Sequence, residues 1–347
     1  MKKHFGLVIQ DYLNHPQSGV FKNVISILLL PLSLLYFFLM IVRRQFYEMR
    51  IFRSKKLDHP VISVGNLTTG GTGKTPFEIY LIKMMNEMNI RPLILSHGYG
   101  SKSPDEMSMI AEQFPEIPIA YGKNRLSSYK KAAAEYEFDI VILDDGFQHL
   151  KIKRDLDIII LDAHRPFGSG RLLPSGNLRE PKSILRYGDL IVLNYKAEKI
   201  DRKNHSSEMV RNWEGLSGGY KISGIDMLHG GNRLDLSGLA ANKCGIITAI
   251  GDSESFRYLL EKKEVKIAKV FRFRDHHEYT KEDLKLVQES CLAESIEHLF
   301  TTEKDAVKLK TICFENPSVY VIKIAFRLEK GEDHLKQRIQ ALAKRQS

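Results

Sequence analysis

The sequence predicts an α/β fold with a mostly parallel β-sheet and flanking helices, preceded by an N-terminal hydrophobic membrane helix. Three observations lead to this prediction. Short runs that are apolar nearly throughout recur along the chain, as in parallel strands that are buried on both faces. Helix-like stretches lie between these runs, which favours βαβ units. A segment of 19 residues near the N-terminus, Val24–Val42, carries no charge.

The uncharged segment Val24–Val42 is long enough to cross a membrane. Its 19 residues, at about 1.5 Å each in a helix, approach the roughly 30 Å of a hydrocarbon core. Pro31 and two serines within it leave open a helix that lies in one leaflet instead. More basic residues follow the segment than precede it, which predicts that the remainder of the chain lies in the cytoplasm. Residues 1–43 are therefore predicted to be a membrane-anchoring segment.

The rest of the chain divides into two predicted subdomains, 44–210 and 211–347, with a polar boundary from Lys196 to Gly219. The predicted strands of the first subdomain are 60–64, 91–96, 139–144, 155–162 and 189–194. Those of the second are 244–250, 268–273, 298–302 and 318–324. Helical patterns separate these runs, so both subdomains are expected to be α/β.

Composition narrows the choice of partner and compartment. The chain has 43% apolar and 27% charged residues, which is an ordinary globular balance. A formal net charge of +10 predicts attraction to polyanions, whether nucleic acid, anionic lipid head groups or a phosphorylated substrate. The three cysteines, Cys244, Cys291 and Cys313, lie far apart, which argues against a disulfide framework and a zinc site.

A glycine-rich loop follows the first predicted strand, in VGNLTTGGTGKTP (64–76). Such a loop between a strand and a helix turns backbone N–H groups toward phosphate oxygens, and it predicts a P-loop NTPase-type core. Lys74 is expected to reach the β and γ phosphates of ATP, and the Thr75 hydroxyl to hold Mg²⁺. The strict pattern has a glycine where this chain has Thr68. The predicted ATP-binding residues of the loop are Thr68, Thr69, Gly70, Gly71, Thr72, Gly73, Lys74 and Thr75.

Asp144 ends the predicted strand DIVILD, and a second aspartate, Asp145, follows it before Gly146. A carboxylate at the C-terminal end of a buried strand, beside a phosphate loop, is placed to bind Mg²⁺ directly or through water. Both aspartates are therefore predicted metal residues, and which of them touches the ion is left open.

At this point the sequence resembles one family, the tetraacyldisaccharide 4′-kinases of Gram-negative bacteria. The blocks that carry the resemblance cover nearly the whole chain and are VGNLTTGGTGKTP (64–76), HGYG (97–100), DDGFQH (144–149), RDLDIIILD (154–162), GSGRLLPSGNLREP (168–181), DHHEY (275–279) and TEKDAVK (302–308). The resemblance implies transfer of the ATP γ-phosphoryl group to the 4′-hydroxyl of tetraacyldisaccharide 1-phosphate, giving lipid IV-A. It also implies two α/β/α subdomains with the site in the cleft between them.

The resemblance assigns roles to further residues. It implies that Asp105 is the catalytic base and that His276 of the second subdomain pairs with it. It implies that Arg179 contacts the phosphates of ATP and that Glu180 joins the aspartate pair around Mg²⁺. His149 lies in one of the matching blocks without an assigned role. Two departures from the family pattern affect the surroundings of Asp105: His97 stands where arginine is usual, and 104–107 read PDEM instead of GDEP.

Three other functions fit parts of the sequence. A partition ATPase would carry a second lysine where this chain has Thr69, and a GTPase would carry N-K-x-D, which 194–197 do not match. A nucleic-acid site would explain the net charge, but the basic residues near Val24–Val42 favour a membrane. For Glu303, Lys304 and Asp305, an exposed helix start and a functional role both stay open.

The predicted partners are an acylated glucosamine disaccharide 1-phosphate and membrane lipid, with no nucleic acid and no protein partner implied. ATP is the predicted co-substrate and Mg²⁺ the predicted metal. The predicted location is the bacterial inner membrane, with the catalytic part of the chain on the cytoplasmic face.

Overall fold

The computed structural model describes residues 25–97, 105–196, 205–230, 242–274, 277–310 and 317–344, except for the side chains of Asp105 and Glu106. The chain forms two compact units. Unit 1 consists of the described residues of Met1–Tyr195, Ile200–Gly218 and Leu328–Ser347. Unit 2 consists of those of Lys196–Lys199 and Gly219–Arg327. The C-terminal residues from Leu328 onward therefore belong to the same unit as the phosphate loop, although they lie within the predicted second subdomain, 211–347.

Unit 1 contains a parallel sheet that is covered by helices. Its elements, in chain order, are α1 (Leu30–Glu48), β1 (Val61–Gly65), α2 (Lys74–Glu87), β2 (Pro92–Ser96), α3 (Asp105–Gln113), β3 (Ile119–Tyr121), α4 (Arg125–Glu135), β4 (Ile140–Asp144), β5 (Leu156–Asp162), a 3₁₀ helix (Lys182–Tyr187), β6 (Leu190–Asn194) and α5 (Glu208–Arg211). The strand order is β3-β2-β4-β1-β5-β6, followed by the first residues of β7 (Leu216–Met227). All of these neighbours pair in parallel, which confirms the prediction of a mostly parallel sheet.

The order of strands places the phosphate loop at the centre of this sheet. β1 lies between β4 and β5, and every residue of β1 is buried. Val64 of β1 pairs with Asp144 of β4, so the two strands end at the same edge. Because ligands of open α/β sheets bind beyond the carboxyl ends of the strands, this edge is where a nucleotide site is expected.

Unit 2 is a second α/β assembly. Its elements are the greater part of β7, then β8 (Cys244–Thr248), α6 (Ser253–Glu261), β9 (Ile267–Arg272), α7 (Lys281–Glu294), β10 (His298–Thr302), α8 (Glu303–Leu309) and the first part of β11 (Ser318–Lys330). β11 ends in unit 1, where α9 (Glu332–Ala343) follows it. In unit 2 the strand order is β7-β11-β10-β8-β9. β8 pairs in parallel with both β9 and β10, and β10 pairs in parallel with β11. Separate apolar clusters, built around Leu299 and Phe300, form the core.

The predicted N-terminal membrane helix is wrong. Within the residues that the structure describes, no helix is both long enough and apolar enough to cross a membrane. A turn at Leu29, just before Pro31, separates α1 from the preceding helical residues, and α1 then continues beyond Val42 to Glu48. The helix therefore includes Arg43 and Arg44 and is not a purely apolar segment.

Candidate active site

The phosphate loop adopts a conformation that depends on its glycines. Gly70 and Gly73 have φ angles of 111° and 94°, in the left-handed region that residues with a Cβ rarely adopt. Gly73 precedes the first residue of α2, Lys74. The loop therefore leads directly into the N-terminus of a 14-residue helix, whose unpaired N–H groups and dipole favour an anion.

Buried amide side chains hold the loop in place. Asn66 donates from Nδ2 to Oγ1 of Thr72 over 2.9 Å, and Asn194 donates from Nδ2 to the Thr72 carbonyl, also over 2.9 Å. Gln148 donates from Nε2 to the carbonyl of Asn66 over 2.8 Å. Sequence reasoning did not identify these three residues. Asn66 and Asn194 directly follow or end strands β1 and β6, and that position was the available signal.

A second segment, 177–179, runs beside the phosphate loop and brings Arg179 to it. The Thr69 amide donates to the carbonyl of Asn177 over 2.8 Å, and the Arg179 amide donates to the carbonyl of Leu67 over 2.7 Å. Thr68 and Leu178 form an antiparallel bridge between these bonds. This explains structurally why the blocks GGTGKT and LREP, which are far apart in sequence, belong to one site.

Two cations of the site converge on Asp145. Lys74 Nζ lies 2.6 Å from Asp145 Oδ1, and Arg179 Nη1 lies 2.7 Å from Asp145 Oδ2. Asp145 has a φ of 46°, a conformation that aspartate tolerates better than most residues. Burial alone would raise the pKa of Asp145, but the charges and hydrogen bonds of Lys74 and Arg179 lower it to about 2. The carboxylate is therefore ionised at neutral pH.

Asp144 is fixed at the end of β4. Its Oδ2 accepts a hydrogen bond from Ser96 Oγ over 2.6 Å, and its backbone carbonyl accepts one from Arg125 Nη2 over 2.6 Å. Ser96 ends the neighbouring strand β2, so the parallel register places donor and acceptor together. Asp144 and Asp145 thus supply hard oxygen ligands at the edge where the phosphate loop lies.

The donor set around the aspartate pair fits Mg²⁺. Within the described part of the chain, no group of three or more His, Cys, Asp or Glu side chains forms a metal cage. Mg²⁺ does not need such a cage, because it usually keeps several waters and binds one or two carboxylates together with substrate phosphates. Asp144, Asp145 and Thr75, the second residue of α2, offer oxygen ligands of that kind.

Glu180 has a partner that the sequence did not indicate. Its carboxylate is 2% exposed and forms an ion pair with Arg44 of α1, with 2.9 Å between Oε2 and Nη2. Burial raises the pKa of Glu180, while the charge of Arg44 opposes that shift. The role of Glu180 as a metal ligand stays a prediction.

Another carboxylate of the site escaped sequence reasoning altogether. Glu78, one turn after Lys74 on α2, is 1% exposed, and its carboxyl interacts with that of Asp144. Burial, reinforced by the negative charge of Asp144, raises the pKa of Glu78 well above its usual range. The raised pKa favours the neutral carboxylic acid in the native state.

His149 lies close to the same edge. Burial, together with the positive charges of Arg125 and Lys151, lowers the pKa of His149 to about 4. Its imidazole is therefore neutral at pH 7.

The predicted catalytic pair lies largely outside the described residues. Asp105 is the first residue of α3, but its side chain is not described, and His276 is outside the described residues altogether. The next residue, His277, contacts Asp283 with 2.8 Å between Nε2 and Oδ2. The pairing of Asp105 with His276 stays a prediction.

Asp305, for which an exposed helix start was one alternative, is buried in unit 2. Its carboxylate accepts hydrogen bonds from Thr248, Thr302 and Tyr279 and from the Ala249 amide. These bonds connect the ends of β8 and β10 to the segment that contains Tyr279. Asp305 is thus not an exposed helix-start acid, and its surroundings are those of a structural carboxylate.

Comparison with known proteins agrees with this geometry. Residues 25–344 match the LpxK family, described as tetraacyldisaccharide-1-P 4′-kinase. The tetraacyldisaccharide 4′-kinase of Syntrophus aciditrophicus is 34% identical over 83% of this chain and 85% of its own length. That of Halothermothrix orenii is 31% identical over 95% of this chain and 96% of its own length.

A solved structure also resembles the chain over most of its length. The crystal structure of LpxK from Aquifex aeolicus in complex with ATP has 28% sequence identity to it and a TM-score of 0.71, covering 92% of this chain and 99% of that one. The family match spans far more than half of the sequence. The chain therefore belongs to the tetraacyldisaccharide 4′-kinase family.

Proposed function

We propose that the cluster of Lys74, Asp145 and Arg179 carries out the phosphoryl transfer of this family. The chain is a phosphotransferase with an alcohol acceptor: it transfers the γ-phosphoryl group of ATP to the 4′-hydroxyl of tetraacyldisaccharide 1-phosphate, giving lipid IV-A. The observation that carries the residue assignment is the convergence of two cations on one carboxylate at the end of the phosphate loop.

Lys74 and Arg179 provide the positive charge that phosphoryl transfer requires. The triphosphate binds at the N-terminus of α2. Its oxygens replace the Asp145 carboxylate as the ion-pair partners of Lys74 and Arg179. Lys74 acts as a point charge, whereas the planar guanidinium of Arg179 can bind two oxygens at once. In this reaction class, charge neutralisation and positioning account for most of the rate enhancement by the enzyme.

Asp144, Asp145 and Thr75 would hold Mg²⁺ through their oxygen atoms. When bound, the ion neutralises charge on the β and γ phosphates. Ser96 orients Asp144 for this role through its hydrogen bond. Glu180 joins this set only if its carboxylate leaves Arg44, so we assign the direct contacts to the aspartate pair first.

Asp105 accepts the proton of the attacking 4′-hydroxyl, and His276 orients it. This assignment rests on the sequence resemblance. Asp105 begins α3, and four residues separate it from the HGYG block of the family. A carboxylate within hydrogen-bond reach of the acceptor hydroxyl is sufficient for such a base.

The acceptor carries acyl chains, so the reaction takes place at a membrane surface, on the cytoplasmic face of the bacterial inner membrane where ATP is available. Exposed apolar side chains on α1 support this location. They are Leu30, Leu32, Leu34, Leu35, Phe38, Leu39, Val42 and Phe46. The partners are therefore the acylated disaccharide 1-phosphate and membrane lipid.

A phosphate-transfer assay tests the proposal. Detergent-purified protein receives labelled ATP, Mg²⁺ and tetraacyldisaccharide 1-phosphate, and label in the lipid is measured for the wild type and for Lys74→Ala and Asp105→Asn. Lys83→Ala, at an exposed position of the same helix, is the matched control. We expect labelled lipid to disappear in Lys74→Ala, to fall strongly in Asp105→Asn and to persist in Lys83→Ala.

Each result discriminates between assignments. Full transfer by Asp105→Asn would remove the base from the proposal and leave the kinase reaction intact. Unlabelled lipid with the wild type, accompanied by ATP hydrolysis that does not depend on lipid, would contradict the whole proposal and favour an ATPase switch.

A further inference from the structure

Helix α1 forms polar contacts with the segment that carries Arg179. Ser33 Oγ donates to the carbonyl of Leu172 over 3.1 Å and accepts from the Ser175 amide over 2.9 Å. Tyr36 donates from its hydroxyl to the carbonyl of Arg179 itself over 2.8 Å. Ser33, Tyr36 and Arg44 fall on one face of the helix. One face of α1 is therefore bonded to the candidate active site.

Arg44 adds a buried ion pair to these contacts. It is 8% exposed, and its guanidinium carbon lies 4.6 Å from the ring centroid of Tyr187 and 5.4 Å from that of Phe147. Its Nη2 lies 2.9 Å from Oε2 of Glu180. A buried guanidinium is costly unless it is paired and packed in this way, so the contact is a specific feature of the fold.

Two partners of Arg44 are close in sequence to the two members of the Arg179–Asp145 ion pair. Glu180 is the residue after Arg179, and Phe147 lies two residues after Asp145. Tyr36 contacts Arg179 at its backbone carbonyl, and Arg44 contacts the neighbouring residue Glu180. Both contacts fix the backbone from which the charged groups of that ion pair extend.

We propose that Arg44 and Tyr36 are positioning residues for phosphoryl transfer, acting on ATP through Arg179. This inference rests on the proposed role of Arg179. It makes α1 part of the catalytic apparatus, in addition to any contact it makes with lipid. Small displacements of a charged group that binds the transferring phosphoryl group reduce the rate steeply, because electrostatic stabilisation depends on preorganised geometry.

Kinetics of two conservative variants test the inference. Arg44→Lys keeps the charge but loses the planar stacking, and Tyr36→Phe removes only the hydrogen bond to the Arg179 carbonyl. We expect each to lower kcat/KM for ATP by about tenfold, with the KM for the lipid acceptor unchanged. Arg91→Lys is the matched control, because Arg91 forms an exposed ion pair with Glu137 and Asp139. It is expected to leave both parameters unchanged.

A double-mutant cycle separates positioning from a merely structural role. If Arg44 and Tyr36 act through Arg179, their substitutions have little further effect in an Arg179→Ala background. If each substitution lowers kcat/KM for ATP by the same factor in that background as in the wild type, the inference is overturned. Circular dichroism and thermal melting show whether Arg44→Lys folds. If it does not fold, Tyr36→Phe alone still tests the inference.

The same experiments keep the inference separate from the proposed function. If Lys74→Ala abolishes transfer while folded Arg44→Lys and Tyr36→Phe retain the full wild-type kcat/KM for ATP, only the inference about α1 fails. If Lys74→Ala also retains full transfer, the proposed phosphate site itself fails.

Discussion

Lys74 and Asp145 form an ion pair at the end of the phosphate loop, with 2.6 Å between Nζ and Oδ1, and Arg179 binds the same carboxylate. Lys74 is the first residue of α2, and Asp145 directly follows β4. The ion pair therefore connects two neighbouring βα units. The pair also fixes the charge state of the site, because it keeps Asp145 ionised down to a pH of about 2.

Asp145→Asn is expected to make stability less dependent on pH. The unfolded carboxyl has a pKa of about 3.9, and in the folded state the two cations, working against burial, lower this pKa to about 2. A lowered pKa stabilises the native state above the unfolded value, and the contribution disappears as pH falls through the folded value. We therefore expect a loss of roughly 2 kcal/mol at pH 7 that shrinks below about pH 4.

Chemical denaturation of the wild type and Asp145→Asn between pH 3.5 and pH 7 measures this difference. Asp139→Asn is the control, because Asp139 pairs with the exposed Arg91 and such surface pairs contribute about 1 kcal/mol or less. If the free energy of unfolding differs between the wild type and Asp145→Asn by the same amount at every pH, the argument is contradicted.

Glu78→Gln is expected to have the opposite dependence on pH. Burial and the neighbouring Asp144 raise the pKa of Glu78 in the folded state, whereas the unfolded carboxyl ionises near a pKa of about 4.3. Above that pH the unfolded chain releases a proton that the native state retains, so this residue destabilises the native state increasingly as pH rises. Glutamine has the same shape and does not titrate.

Thermal melting tests the Glu78 argument. The melting temperature of Glu78→Gln, relative to the wild type, should increase from pH 5 to pH 8. Glu87→Gln, at an exposed position of the same helix, is the control. A Glu78→Gln variant that becomes relatively less stable toward pH 8 would show that Glu78 is needed as an ionised carboxylate.

Much of the unit 1 sheet could be predicted because its strands are continuous apolar runs. The predicted strands 60–64 and 139–144 correspond to Val61–Gly65 and Ile140–Asp144. Because both faces of such a parallel sheet are buried, its strands are nearly continuous apolar runs. A run of this kind can be recognised from a few neighbouring residues alone. β7 was missed because LSGGYKISGIDM is rich in glycine and polar residues, and its first residues were taken as part of the boundary.

The remaining features depend on contacts between distant parts of the chain. Arg44 reads as a basic residue at the end of an apolar segment, and its partner Glu180 is 136 positions away. Glu78 reads as a polar position on an amphipathic helix, and its burial follows from the packing of α2 against the sheet. Hydropathy in a local window contains neither piece of information. It also does not show the turn at Leu29 or the continuation of the helix to Glu48, which is why the predicted membrane helix was wrong.

Asn194→Ala is expected to weaken ATP binding without removing catalytic chemistry. Asn194 is fully buried and donates to the Thr72 carbonyl, so its loss leaves a buried acceptor of the phosphate loop without this donor. The loop then spends less time in its binding conformation. We expect the KM for ATP to rise by about tenfold, with a smaller change in kcat.

Steady-state kinetics at varied ATP measure the effect of Asn194→Ala. Asn86→Ala is the control, since the Asn86 amide makes an exposed hydrogen bond to Glu116. An unchanged KM for ATP in folded Asn194→Ala would show that the loop does not need this contact.

Asp305→Ala is expected to destabilise unit 2 strongly. Asp305 is 2% exposed, and its carboxylate accepts hydrogen bonds from Thr248 over 2.7 Å, from Thr302 over 2.8 Å and from the Ala249 amide over 3.1 Å. Removing it leaves buried donors unpaired, each at a cost of about 1–3 kcal/mol. We expect a loss of about 3 kcal/mol in the free energy of unfolding, measured by denaturant titration.

A matched control separates this network from a general effect of helix-start acids. Asp305 lies in the first turn of α8 and Asp333 in the first turn of α9, but Asp333 is exposed. Asp333→Ala loses only the interaction with the helix dipole, worth about 0.3–1 kcal/mol. Similar losses for the two variants would mean that Asp305 acts as an ordinary helix-start residue. A much larger loss for Asp305→Ala, partly recovered in Asp305→Asn, would show that its buried acceptor oxygens hold the ends of β8 and β10 to the segment containing Tyr279.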